Sequence, residues 1–357
     1  MPTFLLFALG LAALLVGAEL LVRGASKLAL AIGLSPLVIG LTVVAIGTSS
    51  PEIAIGVGGA LRGNTDLALG NIVGSNIANV LLILGLIALF TPLVVARQLV
   101  RIDVPIMIAV SLLTLWLAWD GNIGRIDGLL LLAGAAIYIG FLIRLARNTP
   151  DHAPEPARPK AEDKPRVPLQ LVFIVAGLAL LVWGADQLVD AATGLARDWG
   201  LSELVIGLTI IAVGTSLPEI ATCVLAAVRG QSDLAVGNIV GTSIFNLLLV
   251  LGLMSVVAPE GVPVSSAMLR FDLPVMIAVA IACLPIFFTG HRIAHWEGAV
   301  FLGYYIAYTA FLLLAANRHD ALEEFSLAMR WVVMPLTALT LLVSLTRALQ
   351  SRRSSPL

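Results

Sequence analysis

The chain has 357 residues, 59% of them hydrophobic and 12% charged, with a mean hydropathy of +1.01 and a formal net charge of -1. A soluble domain carries about 25% charged residues; this composition leaves too little polar surface for a water-facing shell and points to the bilayer as solvent. The near-neutral charge gives no footprint for nucleic acid, and Cys223 and Cys283, both in apolar runs, argue against a disulfide framework or a thiolate metal site.

Apolar runs of about 20 residues cross a bilayer as helices. In chain order they are expected at 3–23, 35–61, 66–90, 101–119, 127–146, 169–190, 202–228, 233–257, 272–289, 298–316 and 328–347. The first run has no basic residue before it and no small-residue cleavage site, so it is expected to be a retained span. The tryptophans, including Trp116, Trp119, Trp183, Trp199 and Trp331, mostly sit near span ends and read as interface anchors. Glu19 and Arg23 are one helical turn apart and are expected to pair. Asp103, Asp186 and Asp272 lie toward span ends and read as structural. The four histidines, His152, His291, His295 and His319, fall in or beside loops. Between the fifth and sixth runs lies the only long polar stretch, 148–168, with six prolines among charges of both signs. It cannot bury enough apolar surface to fold and is expected to be a flexible linker.

The segments flanking that linker repeat. Residues 35–85 and 202–252 align at a constant offset of 167 without a gap, and 33 of the 51 positions are identical. The register extends upstream, where Gly17-Ala18-Glu19 matches Gly184-Ala185-Asp186, and downstream, where Arg101 to Pro105 resembles Arg270 to Pro274. The expected organisation is a first repeat at 1–147, a linker at 148–168, a second repeat at 169–317, and an additional span with a tail at 318–357. Each repeat holds five spans. An odd number makes the second copy enter the membrane from the opposite side, so the repeats are expected to be inverted. The fold class is therefore an all-α polytopic membrane protein: a ten-helix core of two inverted five-helix repeats plus one extra C-terminal helix. With the N-terminus outside, 15 of the 21 lysines and arginines fall on inner segments, which places the linker in the cytoplasm.

Glu52 lies 17 residues into its run, about 25 Å along a helix rising 1.5 Å per residue. Glu219 holds the equivalent place. An ionised carboxylate at mid-membrane depth costs several kcal/mol or more unless it is paired or solvated, about 2.5 on the mildest scales. No lysine or arginine occupies the centre of any span. The partner must be a proton, water or a bound cation. Around each glutamate stand Gly47-Thr48-Ser49-Ser50-Pro51 and Gly214-Thr215-Ser216-Leu217-Pro218. The prolines should break each helix and free carbonyls near Thr48, Thr215, Ala45 and Ala212. Carbonyls, hydroxyls and carboxylates are hard oxygen ligands that suit calcium and sodium. In the third and eighth spans, Ser75 and Asn79 share a helical face, as do Thr242 and Asn246, and glycines there allow close packing on the broken helix.

The paired GTSxPE and GNIVGS/T motifs resemble the alpha-repeats of the cation/calcium antiporter superfamily, specifically prokaryotic sodium/calcium exchangers. The resemblance covers spans one to ten. It implies a ten-helix fold with four clustered cation sites, no enzymatic activity and no cofactor, and transported Ca2+ and Na+ as bound ions. Carried over, Glu52 and Glu219 would be shared carboxylate ligands. Thr48, Thr215, Ser49 and Ser216 would add carbonyl or hydroxyl oxygens, and Ala45 and Ala212 carbonyls. Ser75, Thr242, Asn79 and Asn246 would complete the ring. Asn246 stands where some members have an aspartate. The eleventh span is an addition to which the resemblance assigns no role. The location implied is a prokaryotic inner membrane. Rival readings are exchange coupled to protons or potassium, and an intramembrane hydrolase, against which no histidine or lysine base lies at the depth of Ser49 or Ser216. For the hydroxyls the plain alternative is bonding back to their own helix, and for Ser75, Thr242, Asn79 and Asn246 it is helix–helix adhesion.

Overall fold

A computed structural model describes residues 2–148, 166–198 and 212–316, together with Met334 and Thr346. Among these residues, eight helices are long and apolar enough to cross a membrane, nine when a bent pair is taken as one span. In chain order they are α1 (Pro2–Ile32), the bent pair α2 and α3 (Pro36–Thr48 and Ser50–Leu61), α4 (Thr65–Phe90), α5 (Leu99–Leu117) and α6 (Arg125–Asn148). The second half supplies α7 (Val167–Asp198), the shorter α8 (Leu217–Val228), α9 (Ser232–Val257), α10 (Met268–Phe288) and α11 (His295–Ala316). The linker residues 149–165, the start of the seventh expected span and the extra helix at 328–347, apart from Met334 and Thr346, lie outside the described residues.

Two expected boundaries need correction. α1 continues past residue 23 to Ile32 and ends at Gly33, whose φ of +71° is a left-handed stop that suits glycine. The charge at Arg23 does not end the helix because Glu19, one turn back, pairs with it. Ala25, Leu28 and Ala29 then keep an apolar face buried. α7 likewise runs beyond residue 190, to Asp198.

The halves meet in swapped pairs. α1 and α7 cross antiparallel with no room for a side chain. A Cβ on Gly17 would sit 2.8 Å from the Gly177 carbonyl oxygen, and one on Gly184 would sit 2.7 Å from that of Gly10. Gly10 and Gly177 are equivalent in the repeat, as are Gly17 and Gly184, so each contact is the image of the other. The same exchange recurs at Gly85 against Gly298 and Gly128 against Gly252. It recurs again in two short antiparallel ribbons: β1 (Leu93–Val94) pairs with β4 (Arg292–Ile293), and β2 (Asn122–Ile123) with β3 (Val262–Pro263). Both ribbons join one half to the other. Each of these contacts thus occurs twice, with the halves exchanged.

α4 and α9 form the centre, with 78% and 83% of their spanning windows buried, against 22% for α6 and 11% for α11. The outer helices turn apolar side chains outward, Ile137 being 72% exposed, as a lipid-facing surface requires. The aspartates at the start of α5 and α10 are structural. Tyr138 donates to Asp103 at 3.0 Å, joined by Gln98 at 3.1 Å, and Tyr308 donates to Asp272 at 2.9 Å. Each ties a repeat's fourth span to its fifth.

Candidate cation site

Both helix breaks fall where the prolines stand. Pro51 offers no N–H to the Gly47 carbonyl, and the Ser50 hydroxyl takes that place at 2.5 Å. Ser49, at φ -72° and ψ 6°, leaves helical geometry, and α2 and α3 meet at 45°. In the second half, Ser216 has nearly the same backbone, φ -89° and ψ 8°. There Leu217 replaces Ser50 and has no hydroxyl to offer Gly214.

Glu52 opens α3 and Glu219 opens α8; both side chains are 0% exposed. None of their four carboxylate oxygens completes a hydrogen bond of standard geometry. The Ser75 hydroxyl lies beside Glu52, the Thr48 hydroxyl beside Glu219, and the two carboxylates are close enough to feel each other's charge. Among the described residues, neither forms an ion pair. Each helix N-terminus offers modest support, which falls far short of the cost of two uncompensated charges in a low-dielectric interior. Protons or bound cations must supply the balance. Among the described residues, no group of three His, Cys, Asp or Glu forms a metal cluster. The donors at hand are two carboxylates and neutral oxygens.

The neutral side chains proposed around the acids are buried, and one backbone expectation needs correction. Thr48, Ser49, Thr215, Ser216, Ser75, Thr242, Asn79 and Asn246 are all buried. Thr242 reaches across the halves to the Ala45 carbonyl at 3.5 Å, and α9 fits against α2 because Gly237 and Gly241 leave no side chain between the backbones. The Ala45 carbonyl, however, is not freed by the break. It accepts the Ser49 N–H at 3.1 Å and the Ser49 hydroxyl at 2.8 Å, because the missing proline N–H affects Gly47 and not Ala45. Ser49 thus bonds back to its own helix, although a hydroxyl that donates its proton keeps its lone pairs for a cation. Ala212 lies in the short turn Ala212–Gly214. Among the described residues, Ser75, Ser216, both polar atoms of Asn79 and Oδ1 of Asn246 have no hydrogen-bond partner.

Two positions that bond the threonines escaped the sequence reading. The Thr48 hydroxyl donates to Asn238 Oδ1 at 3.4 Å, and the Thr215 hydroxyl donates to Asn71 Oδ1 at 3.2 Å. Each asparagine holds the threonine of the opposite half. The signal was available: Asn71, Ser75 and Asn79 follow at steps of four, as do Asn238, Thr242 and Asn246, so each triplet lines one face. Asn79 and Asn246 also open π-helical turns, Asn79–Leu84 and Asn246–Val250, a widening common at functional sites.

The sodium/calcium exchanger protein family matches this chain over residues 2–144 and 169–314, both repeats and nearly all of each. The chain belongs to that family. The exchanger-family match leaves out the linker and the residues beyond 314. A curated relative, the putative antiporter CaxA of Alkalimonas amylolytica, is 39% identical over 244 residues, 67% of this chain and 76% of that protein. The inner membrane protein YrbG of Escherichia coli is 37% identical over 219 residues, 60% of this chain and 67% of that one. A solved structure of the sodium-calcium exchanger NCX_Mj superposes with a TM-score of 0.75 at 29% identity, covering 87% of this chain and 98% of that one. This exchanger-family member is a multi-pass membrane protein with the NCX_Mj fold.

Proposed function

We propose that the protein exchanges Ca2+ for Na+ by alternating access, with Glu52 and Glu219 as the carboxylates that both ions share. The observation that carries this reading is the pair itself: two fully buried acids, one from each helix break, with no cationic side chain paired to either among the described residues. Calcium takes six to eight oxygens at about 2.3–2.6 Å. Thr48, Thr215, Ser49, Ser216, Ser75, Thr242, Asn79, Asn246 and the Ala212 carbonyl are the neutral candidates. One calcium offsets both charges; sodium ions do so in turn. The ions therefore compete for one charge-compensated cavity, which couples their movements. The names of the family and of NCX_Mj support this choice of cargo.

The organisation proposed is two inverted repeats, 1–147 and 169–317, joined by a cytoplasmic linker at 148–168, with the N-terminus outside and 318–357 as an additional helix and tail. The location is the inner membrane. The ribbons favour the inversion: β1 and β4 would both be cytoplasmic, and β2 and β3 both external, so each pair joins loops on one side. The antiparallel crossing of α1 and α7 favours it too.

The test is calcium flux in proteoliposomes with sodium, potassium or proton gradients imposed separately. A sodium gradient should drive calcium uptake, and Glu52→Gln and Glu219→Gln should each lower it by at least about 100-fold, the loss expected when a buried charged ligand is removed. Calcium uptake that ignores sodium but follows a proton or potassium gradient would replace the coupling ion. Full transport by both glutamine variants would remove the site.

A further inference from the structure

Asn246 is a neutral amide at a position where a carboxylate would offer an oxygen in either orientation. An amide offers oxygen on one side only, and the wrong face would present N–H donors to a cation. The surroundings of Asn246 decide which face it shows. Asn76 Nδ2 donates to the Ser243 backbone carbonyl at 3.0 Å and approaches the Met276 sulfur at 3.7 Å. Both partners can only accept, so the Asn76 amide has one workable orientation, and its Oδ1 is left to accept. Asn246 meets that oxygen with Nδ2 at 3.1 Å. Its own Oδ1 is consequently turned the other way. That oxygen is fully buried and has no protein partner. The π-helical turn that Asn246 opens packs against α3, the helix that Glu52 opens.

The opposite half lacks this arrangement. Ser243 occupies the place equivalent to Asn76, and its hydroxyl is spent on the Ile239 carbonyl at 2.9 Å. Asn79, equivalent to Asn246, has both amide atoms without a partner. We propose that Asn76 is a positioning residue that fixes the Asn246 amide with its oxygen toward the cation cavity, making a neutral side chain serve where a carboxylate would need no orienting. This rests on the cation-exchange reading of the site.

The experiment is a cation titration of the purified full-length chain in detergent, read as thermal stabilisation by Ca2+ or Na+, so that it does not depend on exchange taking place. Asn76→Ser installs the residue the fold already carries at Ser243. It should raise the half-saturating concentration of at least one cation about tenfold while the protein stays monodisperse. Asn76→Gln, which displaces the amide by one methylene, should shift it in the same direction and stands in if the serine variant does not purify. The decisive comparison is Asn246→Asp. In that background either Asn76 variant should shift the titration less than twofold, because a carboxylate presents oxygen whichever way it turns. A tenfold shift persisting in the Asn246→Asp background would overturn the proposal, as would an Asn76 variant that titrates like wild type or a wild type that no cation stabilises. Wild type that titrates normally yet moves no calcium in proteoliposomes would refute exchange and leave this assignment standing.

Discussion

The two helix breaks carry almost the same words and stand in different surroundings. Asn238, in the second half, is satisfied at both ends: it accepts from Thr48 and donates to Cys223 Sγ at 3.2 Å. Asn71 accepts from Thr215, but its Nδ2 has no partner, because Gly56 stands where the other half has Cys223. Glu19 binds Arg229 as well as Arg23, and Ser26 donates to Gln231 at 2.7 Å, so α1 is fastened to the turn after α8. Among the described residues, the equivalent Asp186 and Arg62 form no ion pair. Thr48, Ser49, Glu52, Asn71 and Asn79 recur unchanged as Thr215, Ser216, Glu219, Asn238 and Asn246, Ser75 is exchanged for Thr242, and what packs behind the matched asparagines differs. A nearly symmetric set of proposed ligands thus sits in two unequal frames.

Substitutions should act equally where the halves match and unequally where they do not. The largest expected effect is symmetric. Gly17→Leu and Gly177→Leu each push a side chain into backbone less than 3 Å away, and both should abolish monodisperse protein in size-exclusion chromatography, since overpacking against backbone has nowhere to relax. Survival of either would break the picture of a side-chain-free crossing. Next come the asparagines. Asn238→Ala removes the bond from the Thr48 hydroxyl and the contact to Cys223, and leaves them the Ala45 and Ala235 carbonyls at 3.4 and 3.5 Å, so it should cost about 1 kcal/mol, the net worth of a typical hydrogen bond. Asn71→Ala removes one bond, that from the Thr215 hydroxyl, and with it an unmatched N–H2, so it should lower the melting temperature less than Asn238→Ala. Equal losses would show that the Cys223 contact contributes nothing. The smallest effect concerns the ion pairs. Arg229→Gln should cost at most about 1 kcal/mol, as partly exposed pairs do, and the difference from wild type should shrink in high salt. Arg62→Gln should cost nothing measurable by the same melting assay.

Much of the site was legible because buried charge is rare and local sequence dictates where helices break. Pro51 and Pro218 beside Glu52 and Glu219 mark the depth of the acids and the interruption of the backbone without any knowledge of packing. The constant offset of 167 makes the pairing of Thr48 with Thr215 and of Ser75 with Thr242 a matter of alignment. The end of α1 was misread because a charge in an apolar run looks like a boundary until its Glu19 partner is in place. The fate of the Ala45 carbonyl was misread because the proline's missing donor acts on the residue four back, Gly47, and no other.

By itself, the sequence determines that the chain lives in a membrane, that it is built twice, and that two acids lie deep with no basic residue among the central residues of any span. Those are consequences of composition, periodicity and covalent geometry, which are local. Only the tertiary structure decides that Asn71 and Asn238 reach threonines 144 and 190 residues away, or that Asn76 governs which way Asn246 faces. Those facts depend on which atoms of distant helices meet, and an amide's direction is set by the donors and acceptors around it.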